Sequence, residues 1–277
     1  MTRLFLSLVL LGSLSACNKQ KGAGASPSQT PALGSTDASA DPGPSEVETP
    51  QEPVPAGVQQ GAHLYMVGQY EEAIGVLEPL WIDLKSREQQ LASGLAAGWL
   101  ALAHAQVVFE NAEEPYKHAL LMAERTGDPE LTVLARVAHG AFLLGQEDFD
   151  AAGQALLSAT EVTSVTLPSA LANILRAEAL IGSAFGTGAS ETLENPQDLE
   201  SAKQAYDAAA KVAQQGVESD IVMGRVEEGL AAIAKFQRDK DAACKHASAS
   251  VAHLKAAGAS DFLIDGPSRV LQEFRCA

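Results

Sequence analysis

The chain has 277 residues, with 19 basic against 35 acidic side chains and a formal net charge of −16. A chain this acidic is repelled by phosphate backbones, and it has no clustered Lys/Arg patch, so binding to nucleic acid and to anionic lipid faces is disfavoured. The acidity says little about the fold.

The chain begins with a positive charge at Arg3 and an apolar run from Leu4 to Leu14, interrupted only by Ser7, Gly12 and Ser13. Small residues then lead into Leu14-Ser15-Ala16-Cys17, which completes the layout of a secretory signal. The run, about 11 residues, is well short of the roughly 20 that a membrane-spanning helix needs. Leu14-Ser15-Ala16-Cys17 resembles the lipobox of bacterial lipoproteins. The resemblance implies that residues 1–16 are removed and that Cys17 carries acyl chains of the palmitate kind on its thiol and its new amino group. More than one chain is needed for stable anchoring. An ordinary signal peptide with a chance cysteine is the other reading. Asn18, not Asp, follows the cysteine; by analogy with Gram-negative sorting this implies the outer membrane, facing the periplasm.

Residues 17–55 show no hydrophobic period. They are Ala, Ser, Gly, Thr and Pro with scattered acids, and include Pro27, Pro31, Pro42, Pro44, Pro50, Pro53 and Pro55. Such a composition cannot bury enough apolar surface to offset chain entropy, so a disordered tether is expected. As a flexible coil its ends would lie roughly 35 Å apart, and stretched it could exceed about 100 Å.

From residue 56 to the end the chain repeats itself. Gly68-Gln69-Tyr70-Glu71-Glu72-Ala73 and Gly145-Gln146-Glu147-Asp148-Phe149-Asp150-Ala151-Ala152 share a polar turn, an aromatic and an alanine three residues later. Phe109 to Ala112 and Leu199 to Ala202 fit the frame, and Asp239 to Ala242 fits it more loosely. The alanines Ala73, Ala112, Ala152, Ala202 and Ala242 are separated by 39, 40, 50 and 40 residues. Larger side chains follow four residues on (Leu77, Tyr116, Leu156, Tyr206, His246), and small or apolar ones seven on (Leu80, Ala119, Ala159, Ala209, Ala249). That spacing marks one face of a helix.

The frame resembles the second helix of a tetratricopeptide repeat. The resemblance implies an all-α, right-handed αα-solenoid of helix pairs over residues 56–277, each pair stacking on the next to bury a continuous core. Gly61 and Gly140 lie twelve residues before their alanines, where the family favours a small residue, and Trp99 lies thirteen before Ala112. The period is nearer 40 than the family's 34, and the longest interval places about ten extra residues in a polar loop from Gly186 to Glu194.

Helix punctuation agrees with this layout. Asp128-Pro129 and Asn195-Pro196 pair an N-cap side chain with proline at the first helical position, and Pro168 can open a further helix. Gly127, Gly216 and Gly258 suit C-terminal caps. Acid clusters at Glu71-Glu72, Glu113-Glu114 and Glu147-Asp148 sit near helix starts, where the macrodipole favours them. Near the C-terminus, Pro267 is expected to open a short helix through Val270, Leu271 and Phe274, capping the last repeat or binding a partner.

Cys244 and Cys276 remain in an oxidising compartment. Paired with each other they would close a loop of about 30 residues, worth roughly 3–4 kcal/mol. The alternatives are two inert thiols, or pairing of Cys276 with another molecule.

Chemistry is sparse. His63, His104, His118, His139, His246 and His253 form no His-Glu-x-x-His pair, and Cys244-Lys245-His246 is too short to signal a metal. There is no phosphate loop and no nucleophile elbow. No catalytic site, metal or other cofactor is expected. The remaining site is the groove lined by first helices. The family frame implies that Tyr65, Ala97, Ala101 and His104 face it from the first two pairs. Val137, Ala141, Leu144, Ala177 and Ile181 follow from the next two, and Ala231 and Ala234 from the last. The Lys and Asn with which chaperone-type repeats hold a carboxyl terminus are missing there. Small apolar residues suit an amphipathic helix, or they are simply core if the superhelix closes. The first expectation is therefore a membrane-anchored interaction scaffold of the bacterial envelope, holding a protein partner. The alternative is a periplasmic carrier of an apolar small ligand in the same groove.

Overall fold

The computed structural model describes residues 54–162, 165–185 and 195–276. The lipobox, the spacer up to residue 53 and the loop from Gly186 to Glu194 lie outside these. Among the described residues there is no strand. Eleven α-helices follow one another as five pairs and a last single helix. The pairs are α1 (Ala56–Met66) with α2 (Tyr70–Ser86), α3 (Gln90–Val107) with α4 (Glu113–Thr126), and α5 (Pro129–Gly145) with α6 (Phe149–Thr160). Then come α7 (Leu167–Phe185) with α8 (Pro196–Ala213), α9 (Ser219–Phe236) with α10 (Lys240–Ala256), and finally α11 (Asp261–Glu273). Each helix packs on its neighbours in sequence, and the odd-numbered helices α1 to α9 also pack on one another, forming an inner layer.

The repeating alanines sit where two helices approach. Ala73, Ala112, Ala152 and Ala202 have no exposed surface, and the larger residues four positions on, Leu77, Tyr116, Leu156 and Tyr206, are buried with them. The inner helices meet them with glycine. A Cβ on Gly61 would stand 2.3 Å from Cγ of Leu77, and one on Gly140 would stand 2.5 Å from Cγ of Leu156. Sixteen residues separate each pair, so the same close contact recurs in two repeats.

The fifth unit departs from the expected frame by one residue. Its buried face is Ala243, Ala247, Ser250 and Leu254, not Ala242, His246 and Ala249. Asp239 accepts from the Ala242 amide at 3.0 Å and so fixes the start of α10. The residue four after that cap turns inward, as Ala152 does four after Asp148, whose side chain caps α6. Without an aromatic to mark the turn, the sequence aligns this unit one residue early.

Caps read from the sequence are present. Asp128 accepts from the Leu131 amide at 2.8 Å, Asn195 accepts from Gln197, and Gly127 ends α4 at φ +65°. Pro267 does not open a helix, however. It lies buried inside α11, which starts six residues earlier at Asp261. The start is set by Ser260, an extended residue whose amide is held by the far end of the protein, a constraint invisible locally. Cys244 and Cys276 form a disulfide, their Cα atoms 5.6 Å apart, which fastens the end of α11 to α10.

The array closes on itself. The Ser260 amide donates to the Val67 carbonyl at 2.8 Å, and the Ser260 hydroxyl donates to the Gly68 carbonyl at 3.2 Å. Beside them the Tyr70 and Phe262 rings meet edge to face, centroids 5.8 Å apart. The turn of the first pair is thus joined to α11, which also packs on α9 and α10. α11 covers the last repeat as a cap and, beyond that, seals the first pair to it.

Candidate functional site

Closure decides the fate of the expected groove. Tyr65, Ala97, Ala101, Val137 and Ala177 are fully buried, and His104, Ala141, Leu144 and Ile181 are at most 8% exposed. Ala231 and Ala234 are buried as well. These residues form the interior of a ring, so none is a surface for a partner helix in this structure. Tyr65 packs its ring against Trp99 and Tyr70 at 5.8 and 5.5 Å. His104 is held below the usual imidazole range by burial, which favours its neutral form, with Glu78 opposing.

At the centre the inner helices leave a cavity of about 90 Å³. Ala141, Leu144 and Ile181 are the expected groove residues that line it. With Leu175 and Ala105 they make an apolar wall from α3, α5 and α7. The opposite wall is polar and comes from residues the groove frame did not include: Glu178 of α7 and Arg225 and Glu228 of α9. A signal was there to be read. Arg225 lies on the apolar stripe of α9, among Ile221, Val222, Val226 and Gly229, where a helix of the inner layer should carry no charge.

Arg225 is 9% exposed, and its Nη2 donates to Glu178 Oε1 at 3.4 Å. Its Nη1 and the Tyr65 hydroxyl are both buried and make no hydrogen bond of regular geometry, but the guanidinium lies close enough to the hydroxyl to act as its donor. Burial works to lower the Arg225 pKa, but Glu178, then the tyrosines Tyr70 and Tyr65, and Glu228 hold it up, so the guanidinium stays charged. Burial pushes the Glu178 carboxyl up while the Arg225 charge pulls it back. Glu228 is pushed up to about 7, by burial first and by Glu178, with Arg225 opposing. Burial likewise raises the Tyr65 hydroxyl, against the pull of Arg225. One cation thus faces two carboxyl groups, and one of those takes up a proton near neutrality.

A second, larger cleft of about 480 Å³ lies between α9 and α11. Glu228 and Ala232 line both spaces, so the cleft adjoins the cavity. Lys235, Phe236, Pro267 and Arg269 form much of its remaining wall.

The other sequence-level candidates do not assemble a reaction centre. Cys244 is in the disulfide, and His246 pairs through Nδ1 with Glu227 Oε2 at 2.6 Å on the outside of α9 and α10. Among the described residues no group of three His, Cys, Asp or Glu side chains is arranged to hold a metal, and no helix is long and apolar enough to cross a membrane. No protein-family model and no curated protein sequence matches the chain.

Proposed function

We propose that the chain is a lipid-anchored protein of the bacterial envelope whose helical domain is an interaction scaffold, not a catalyst. Cys17 carries the lipid, and residues 17–55 tether the domain at the periplasmic face of the outer membrane. The helix pairs are tetratricopeptide-like, stacked in a right-handed array. The observation supporting this reading is the ring itself. Its inner helices are spent on the core, and its second helices turn outward. On three consecutive ones Ile82, Leu121 and Leu157 stand 60%, 43% and 42% exposed. Ile82 and Leu121 are 39 residues apart, the spacing of Ala73 and Ala112, so they repeat on equivalent positions. A protein partner would lie across these outer faces, and not in the concave groove that the repeat frame implied. Crosslinking in intact cells through a tag after Ala277, with mass spectrometry, tests it. One enriched envelope assembly, lost from the Ile82→Asp/Leu121→Asp variant, supports the reading. A clean bait, under conditions that capture a known envelope complex, sinks it.

A second reading has its own observation. The central cavity, walled by Glu178, Arg225 and Glu228 on one part and by aliphatic side chains on another, favours a carrier of a small ligand.

A further inference from the structure

We propose that the central cavity binds a small organic amine as its ammonium ion, the charged head on Glu228 and the alkyl tail against the α5–α7 wall. This rests on the reading of the ring as a small-ligand carrier and assigns the ligand its charge and chemistry.

The charges in the wall do not balance. Arg225 is the one cation lining the cavity, against the carboxyl groups of Glu178 and Glu228. The guanidinium is committed elsewhere: Nη2 donates to Glu178 Oε1 at 3.4 Å, and Nη1 is sealed in beside the Tyr65 hydroxyl. Glu228 has no such tie. Among the described residues nothing donates a hydrogen bond to its carboxyl and no cation forms an ion pair with it, and its oxygens stay open to the spaces it lines. A guest that brings donors and a positive charge completes the site. An ammonium group carries N–H donors and no acceptor, so it satisfies carboxylate oxygens that an anion would leave without a partner.

The backbone favours the same charge. Ala105 and Gln106 of α3, Leu144 of α5, Ile181 of α7 and Ala232 of α9 line the cavity from within about one turn of their helix ends. Each helix C-terminus carries roughly half a negative charge, so four of them converging on one space attract a cation. The starts of α2 and α11 also reach the cavity, at Tyr70 and Phe262, but Glu71, Glu72 and Asp261 in their first turns offset those positive ends. Tyr70, Tyr206 and Phe262 line the same space, and an aromatic face attracts a cation.

The aliphatic wall sets the tail. Ala141, Leu144, Leu175 and Ile181 offer only methyl and methylene surface. A cavity of about 90 Å³ holds a short alkyl chain, on the order of three to five carbons by comparison with apolar cavities that take benzene. A bare inorganic cation would leave that surface uncovered.

Binding is tied to the ionisation of Glu228. Arg225 and Glu178 face it from α9 and α7, and Tyr65, Tyr70 and Tyr206, from α1, α2 and α8, stay neutral. Along α11 the charges are already paired, Arg269 with Asp265 and Glu273 with Lys235, and on α10 His246 is paired with Glu227. The Glu228 carboxyl titrates at about 7 in the free protein, so the ammonium meets its full anion only above that. Affinity should therefore be highest near pH 8 and fall toward roughly tenfold per pH unit below about pH 6.

The test is calorimetric titration of the full-length protein in a non-ionic detergent, with detergent alone subtracted, at pH 8 and at pH 5. The probes are butylamine, butyramide and butyrate, similar in length and different in charge. At pH 8 butylamine should bind at least tenfold tighter than butyramide, and butyrate should not bind. At pH 5 butylamine should bind at least tenfold more weakly than at pH 8. Glu228→Gln keeps the shape of the side chain and removes its charge, and should lose butylamine binding at pH 8. The pH comparison on the native protein decides the matter even if that variant fails to fold. If butyramide or butyrate binds as well as butylamine, the cavity takes small ligands but the ammonium assignment is wrong. A butylamine affinity unchanged in folded Glu228→Gln, or equal at the two pH values, also overturns the assignment. If none of the three binds at millimolar concentration, the carrier reading fails with it.

Discussion

The Ser260 amide donates to the Val67 carbonyl at 2.8 Å, joining the turn after the first helix to the residue that starts the last one. Nearly the whole repeat domain lies between the two in sequence, so this contact is what makes the array a ring. Gly68 is part of the seam. It has φ +79°, and a Cβ there would stand 2.6 Å from Ser260 Oγ and 2.7 Å from Leu263 Cγ. Gly68→Ala should therefore cost about 2–3 kcal/mol, from the left-handed backbone and the clash together. Hydrogen exchange should rise in α1 and α11 before it rises in α5 and α6. Equal acceleration in all four would mean that the ends are not a separable seam.

Of the described glycines, Gly229 leaves the least room for a side chain, against Tyr206 of the preceding pair. A Cβ on Gly229 would stand 2.0 Å from Cζ of Tyr206, whose ring is 2% exposed and could yield only toward the central cavity it lines. Gly229→Ala should destabilise by about 1–3 kcal/mol through overpacking. Gly75→Ala and Gly153→Ala provide the contrast. Both lie within helices and nothing is within 4 Å of the added atom. Each should stabilise by about 0.5–1 kcal/mol, because alanine is the better helix former. Urea unfolding of the three variants checks the order.

The Cys244–Cys276 disulfide spans 32 residues of sequence and holds the end of α11. Replacing both cysteines by serine should cost about 3–4 kcal/mol on the chain-entropy argument. Reductant should lower the Tm of the native protein and leave the double variant unchanged.

Glu228 should make stability depend on pH with an unusual sign. Its carboxyl titrates at about 7 when folded, against 4.5 for an ordinary glutamate. Between those values the folded chain holds a proton that the unfolded chain has released. Stability from this group is therefore fully present below about pH 4.5 and is lost as pH rises to about 7. The loss is bounded at about 3 kcal/mol, and is smaller to the extent that the group reaches solvent. Glu228→Gln should match the parent at low pH and exceed its stability at pH 8. Chemical denaturation across that range decides it, and a parallel pair of curves would refute the assignment.

Lipidation is tested separately from the fold. An alkyne-bearing palmitate fed to cells should label the protein through its N-terminal cysteine, and Cys17→Ser should abolish both the label and its recovery in the membrane fraction. Membrane recovery unchanged in that variant would point to attachment by other means.

Much of this protein is legible along the chain. The recurring alanines and the aromatic that precedes most of them mark the second helices, and the Asp-Pro and Asn-Pro caps mark the starts of α5 and α8, because they report local events: a turn, a cap, a close helix approach. Each needs only a few neighbouring residues to be specified, and four of the five units follow the frame. The fifth slipped by one residue because Lys240 stands where the others carry an aromatic or a leucine. The inner residues were also legible as one face, but not what that face does. Small apolar side chains such as Ala97, Ala141 and Ala177 read the same whether they line an open groove or a sealed core. Whether they are buried depends on the total curvature of five pairs and on a seam between Val67 and Ser260, both sums over the whole chain. The same holds for the charged centre. Glu178 and Arg225 are 47 residues apart and belong to different repeats, and no local pattern pairs them. Only the closed ring brings them together, because desolvation acts on what surrounds a charge in space.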